Sequence, residues 1–95
     1  MLLRNPQNTG TFVPDSVNAL DIISIINLHI ESSNCEFLSV DISFMNIIDS
    51  CYIVTICSTK HFSKYPNGCI DWHVSSGEIK DLNKDFDLGN CRYLF

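Results

Sequence analysis

Apolar residues recur every three or four positions from residue 17 onward, at Val17, Leu20, Ile23, Ile26 (or Asn27) and Ile30. That is the stripe of an amphipathic helix. Ile22 and Ile25 widen it, so the helix is expected to be buried on more than one side. Pro14-Asp15-Ser16 marks its start, with Asp15 or Ser16 as the cap, and the polar run Ser32-Ser33-Asn34 follows its end near Glu31. Residues 35–42 are then almost continuously apolar (Phe37, Leu38, Val40, Ile42), which suits a strand covered on both faces.

Residues 44–48 are apolar but interrupted by Asn46, and they read as a connecting turn. Residues 50–59 support two readings. The Ile53-Val54-Thr55-Ile56 run has strand propensity, whereas Asp49 ahead of it can cap a helix and Lys60 and His61 suit a helix C-terminus. As a helix the segment places Ile53, Ile56 and Cys57 on one face. Tyr65-Pro66-Asn67-Gly68 is a turn. Beyond it, Ile70, Trp72 and Val74 alternate with Asp71 and His73, the pattern of a half-exposed strand.

Ser75 stands three residues before Glu78, a capping-box spacing. Ile79, Leu82 and Phe86 continue with helical spacing and predict a short helix over residues 77–86. Asp87-Leu88-Gly89-Asn90 ends it, and residues 91–95 form a closing strand. The N-terminal residues 1–14 are rich in turn formers and predict an irregular arm with a short edge strand near residues 11–13. Residues 15–95 form the domain proper. The alternation of helix and strand predicts an α/β fold with helices packed on a sheet.

Composition narrows the function. The 95 residues are 45% hydrophobic, enough for one domain with one core. The net charge of −5, with only six basic residues and no basic run, argues against nucleic acid and against an anionic membrane surface. No apolar stretch approaches the roughly 18 residues of a transmembrane helix, and the first residues lack a secretory pattern. Cytoplasmic residence is the expectation. Five cysteines, an odd number set in apolar runs, are expected to be reduced and mostly buried.

The junction at residues 37–57 carries the candidate chemistry. Val40-Asp41-Ile42-Ser43, a short turn, and then Asp49-Ser50-Cys51 resembles the STAS domain (sulphate transporter and anti-sigma-factor antagonist). The later strand at 70–74 and the helix beginning after Ser75 agree in order and spacing. This resemblance covers residues 15–95 and tips residues 50–59 to helix. It implies a small mixed sheet of about four strands, with shortened N-terminal strands. It also implies a non-catalytic regulatory domain that docks a protein partner, such as an anti-sigma factor or serine-kinase-like ATPase, through residues 43–53.

Asp41, Ser43, Asp49, Ser50 and Cys51 are the site residues so implied. Cys51 occupies the position that the anti-sigma-antagonist branch phosphorylates, and Tyr52 stands in place of its glycine. The switch therefore does not carry over directly, and Ser50 is the neighbouring hydroxyl. A phosphate there would add about −1.5 to −2 charges at a helix N-terminus. The plainer reading makes Asp49 an N-cap, worth about 1 kcal/mol against alanine.

No cofactor or metal is expected. The spacing Cys57-x-x-x-His61 puts two ligand types one helical turn apart, yet no Cys-x-x-Cys pair supports zinc. Asp71, Asp81, Asp85 and Asp87 read as a solvated face. Two alternatives differ in class. One is a redox protein using the Cys51 thiol. The other is a scaffolding subunit, with a homodimer as one version, whose sheet a partner strand completes.

Overall fold

The computed structural model describes residues 11–95, so most of the arm predicted over residues 1–14 lies outside the described residues. The elements run α1 (Ala19–Ser32), β1 (Phe37–Asp41), α2 (Ile47–Lys64), β2 (Cys69–His73), α3 (Glu78–Leu82), a 3₁₀ turn (Lys84–Phe86) and β3 (Cys91–Leu94). The strands lie in the order β1-β2-β3 and both pairings are parallel, with Val40 opposite Trp72 and Trp72 opposite Tyr93. Each strand reaches the next through a helix, and a helical crossover returns the chain in the same direction.

Among the described residues the sheet thus has three strands, all parallel, where a mixed sheet of about four was expected. The predicted edge strand near residues 11–13 is reduced to a single parallel bridge from Phe12 to Val40. Phe12 N–H donates to the Ser39 carbonyl (2.8 Å), and Asp41 N–H donates to the Phe12 carbonyl (2.9 Å). The Phe12 ring stacks on His29 with centroids 4.5 Å apart, which ties this bridge to α1.

Both long helices start from the same local device. Asn18 caps α1 by accepting from Asp21 N–H (3.1 Å), and Asn46 caps α2 by accepting from Asp49 N–H (2.8 Å). In each case an Asn-x-x-Asp unit satisfies a free first-turn donor and sets a carboxylate against the positive helix end. Neither expected cap holds: Ser16 accepts from the Asn18 N–H, and Asp49 lies inside the first turn. Consequently α2 begins within the segment read as a connecting turn, and it runs 18 residues instead of ten.

The capping box also does not form. Ser75 donates to the Met45 carbonyl (3.3 Å), and Ser76 takes the Glu78 N–H (3.1 Å). The short helix predicted over residues 77–86 is split at Asn83 into α3 and the 3₁₀ turn.

One face of the sheet meets the helices. Leu38 and Val40 of β1 and Ile70 and Trp72 of β2 join Ile22, Ile26 and Ile30 of α1, Ile53, Val54 and Cys57 of α2, and Ile79 of α3 in one core. Val17 and Leu20, placed on the buried stripe by periodicity, are exposed; Ile22 turns inward instead. Trp72 is fully buried, and its indole N–H donates to Ser58 Oγ (2.9 Å). Lys64 reaches from the end of α2 to the carbonyls of Ile30 (2.8 Å) and Glu31 (2.9 Å). It thereby satisfies free acceptors at the end of α1, and Lys60 pairs with the Glu31 carboxylate nearby.

Among the described residues β1 is covered on one face, where a two-sided cover was expected. Because side chains alternate along a strand, Phe37, Ser39 and Asp41 point away from the helices, as do Cys69, Asp71 and His73. Parallel sheets are ordinarily covered on both faces. Among the described residues the outward polar groups satisfy one another. Arg92 grips Asp71 with two 2.7 Å bonds, and Ser39 Oγ lies 3.0 Å from His73 Nε2 and 3.2 Å from Thr11 Oγ1. These cross-strand pairs satisfy the polar groups of the outward face.

Candidate functional site: the β1–α2 corner

The corner is built from two short hydrogen-bonded loops in succession. Asp41, the last residue of β1, accepts at Oδ1 from the Ser43 hydroxyl (2.6 Å) and the Ser43 N–H (2.9 Å). The side chain thus mimics a turn. Both bonds favour the carboxylate, Ser43 Oγ–H most, and hold Asp41 below its ordinary pKa. The buried Met45 then anchors the chain, its N–H donating to the Ile42 carbonyl (3.0 Å). Asn46 follows, and its amide also donates to Asp49 Oδ2 (2.9 Å), so cap and carboxylate hold each other.

The five residues singled out from the sequence do meet at this corner, but they part ways there. Asp41 and Ser43 form one pair, and Asp49 joins Asn46. Ser50 turns into the core: it is fully buried, and among the described residues its hydroxyl has no hydrogen-bond partner. A kinase reaches that oxygen only if the first turn of α2 opens. Cys51 is half-buried, and its carbonyl accepts from Thr55 Oγ1 (2.8 Å) and from Asn83 Nδ2 (3.3 Å). The second bond brings the end of α3 alongside the second turn of α2.

Three large apolar side chains face solvent at the corner, alongside the exposed polar Ser43 and Asn46. Ile48 (75% exposed) and Tyr52 (50%) stand one turn apart on the outer side of α2, and Phe44 (46%) precedes them in the turn. The sequence carried this signal in the i, i+4 spacing of Ile48 and Tyr52, which is off the Ile53–Cys57 face. Reading residues 44–48 as a turn concealed it.

The thiols are held in their neutral form. Burial raises the Cys51 pKa, and it pushes Cys57 up to about 12. Cys35, Cys69 and Cys91 are raised as well, each chiefly by burial, and all five cysteines are free. A nucleophilic thiol needs the opposite direction. His61 and Cys57 point to backbone partners, the carbonyls of Cys35 (2.8 Å) and Ile23 (3.9 Å). Among the described residues no three His, Cys, Asp or Glu side chains come together as a metal site, and no helix is long and apolar enough to cross a membrane.

A concavity of about 620 Å³ lies on the outward sheet face, beside Phe37, Ser39, Cys69, Asp71 and Arg92. Its charged groups are already paired with each other. Comparison with protein-family models, curated proteins and solved structures finds no match to this chain.

Proposed function

We propose that this chain is a STAS-like regulatory domain, cytoplasmic and without catalysis of its own, that docks a protein partner through the β1–α2 corner. The observation that carries the reading is the exposure of Ile48 and Tyr52 on the outer side of α2, with Phe44 also exposed in the turn that precedes them. Large apolar side chains set together in water are the ordinary mark of a docking surface. Beneath them the two side-chain loops at Asp41–Ser43 and Asn46–Asp49 fix the backbone, so binding orders little that is free beforehand.

The alternation of helices with three parallel strands supports the same reading. The Phe12 bridge on the outer side of β1 is then what remains of the family's N-terminal strand. The partner on this reading is an anti-sigma factor or serine-kinase-like ATPase. Phosphorylation at Ser50 or Cys51 is not the switch, because one oxygen is sealed in the core and the other position carries sulfur.

Affinity capture from the native host, followed by mass spectrometry, tests the proposal. The wild-type domain should recover an ATPase of this class, and an Ile48→Asp/Tyr52→Ala variant with unchanged circular dichroism should lose it. Equal recovery by both proteins, or no ATPase with either, rejects the reading.

A further inference from the structure

The negative charge of this chain is concentrated on one flank. Residues 47–52 and 78–87 hold five carboxylates (Asp49, Glu78, Asp81, Asp85, Asp87) against Lys80 and Lys84, a balance of −3 out of the net −5. Among the described residues both ion pairs, Lys60–Glu31 and Arg92–Asp71, lie outside these segments. Glu78, Asp81, Asp85 and Asp87 are all exposed.

The same segments carry exposed apolar side chains: Ile48 and Tyr52 on α2, Leu82 on α3 and Phe86 in the 3₁₀ turn. The Asn83–Cys51 hydrogen bond sets the end of α3 beside the second turn of α2, so the two elements present one flank.

Building on the docking reading above, we propose that this flank binds a basic amphipathic helix of the partner, its Leu or Phe stripe on Ile48, Tyr52, Leu82 and Phe86 and its Lys or Arg edges on the surrounding carboxylates. A purely solvated acidic face has no need of four large exposed apolar side chains. An apolar surface rimmed by one sign of charge selects a ligand with the apolar stripe and the opposite sign, and it steers the encounter. The same rim works against other occupants. A second copy would bring its own −3 to the contact, and nucleic acid or an anionic membrane would be repelled.

The test uses the whole domain, isotope-labelled, and three synthetic peptides of about five helical turns. The first has a Leu/Phe stripe edged by Lys, the second has every Lys replaced by Glu, and the third scrambles the first. The basic peptide should bind saturably and move amide resonances within residues 47–52 and 78–87. The acidic peptide should not bind, and the scrambled one should bind at least about tenfold more weakly, the scale of losing an interface anchor. Ile48→Ser/Phe86→Ser and Asp81→Lys/Asp85→Lys should each weaken the basic peptide by a similar factor, and added salt should weaken it further.

Equal binding of the acidic or scrambled peptide, or resonance changes centred on the outward sheet face, overturns the proposal. Host capture that depends on Ile48 while the basic peptide fails rejects the partner chemistry and leaves the docking surface standing.

Discussion

His61 Nε2 lies 2.8 Å from the backbone carbonyl oxygen of Cys35, joining the last turns of α2 to the loop that enters β1. A carbonyl only accepts, so the proton sits on Nε2 and Nδ1 carries the lone pair. Nδ1 is buried without a partner among the described residues. The ring is closed in further by Tyr65, with ring centroids 5.1 Å apart. Burial is the main influence on this histidine and holds its pKa below 6.5, against smaller opposing effects from the carbonyls of Cys35 and Glu36 and the Glu36 charge.

Stability is therefore expected to fall on mild acidification. The unfolded histidine takes a proton more readily than the folded one, so the unfolded state binds more protons as pH drops. The contribution of neutral His61 is complete above the unfolded value of 6.5, is lost as pH falls from there toward the folded value, and levels off below it. Glu31, Asp41 and Asp71 have lowered pKa values, so their stabilising effects fade only in the lower, carboxylate range. Urea midpoints followed from about pH 8 to about pH 5 should decline for the wild type and stay flatter for His61→Gln. A wild-type midpoint that rises across that window contradicts the assignment.

The two ends of the Asn46–Asp49 pair should differ in weight. Asn46→Ala removes the cap acceptor and should cost about 1 kcal/mol. Asp49→Ala leaves that acceptor in place and removes one exposed hydrogen bond and a favourable charge, a loss of roughly 0.5 kcal/mol. Asp49→Ala placed on the Asn46→Ala background should cost less than it does alone, because the mutual bond is already gone. Chemical denaturation of the four proteins gives the cycle, and a larger loss for Asp49→Ala alone would restore it as the cap.

Helix α2 shows why part of the fold was legible and part was not. Its buried residues are Ser50, Ile53, Val54, Cys57, Ser58 and His61, a helical stripe in which three of six positions are polar. Hydropathy does not register such a stripe, and the β-branched run at 53–56 argues for a strand. The helix reading was nevertheless right. β2 was legible because Ile70, Trp72 and Val74 are apolar and their neighbours polar, matching one covered face. β1 misled because Phe37 is apolar and yet faces out. The Asn-x-x-Asp units at Asn18 and Asn46 were readable cap signals, masked by Asp15, Ser16 and Asp49, which are equally good capping types. At the corner, residue types put a turn at 44–48, whereas the chain turns over residues 42–46 and α2 already begins at Ile47. Which hydroxyl is sealed in the core depends on helix phase, and the phase moved when α2 began three residues earlier than its assigned start at Ser50.

Ser50 offers a direct check of that phase. A buried hydroxyl without a partner costs roughly 1–3 kcal/mol, and alanine is also the better helix former. Ser50→Ala should therefore leave stability unchanged or raise it by about 1 kcal/mol. Ser50→Asp buries a carboxylate in the same place and should lose more than about 3 kcal/mol, enough to unfold a small domain partly or wholly. Thermal melts of the two variants decide it. If Ser50→Asp melts like the wild type, the side chain reaches solvent, and phosphorylation at this position returns as a regulatory route.

The buried polar network around Trp72 gives the last prediction. Ser58 Oγ accepts from the Trp72 indole N–H (2.9 Å) and lies 3.0 Å from Cys91 Sγ, while the Ser58 carbonyl accepts from Asn90 Nδ2 (3.0 Å). One serine on α2 thus links β2 to the segment entering β3. Ser58→Ala strands the indole donor in the core and should cost roughly 1–3 kcal/mol. Ser58→Thr keeps a hydroxyl but adds a methyl group to a filled site, so it should recover the hydrogen bond only in part. Trp72 is the one tryptophan of the chain and is fully buried, so its fluorescence reports both the unfolding transition and the native environment. The wild type should emit at short wavelength, and Ser58→Ala should shift the unfolding midpoint while the native emission stays that of a buried ring. A native emission at the wavelength of a solvated indole in the wild type would show that Trp72 does not sit against the helices, and the register of β2 would then have to change.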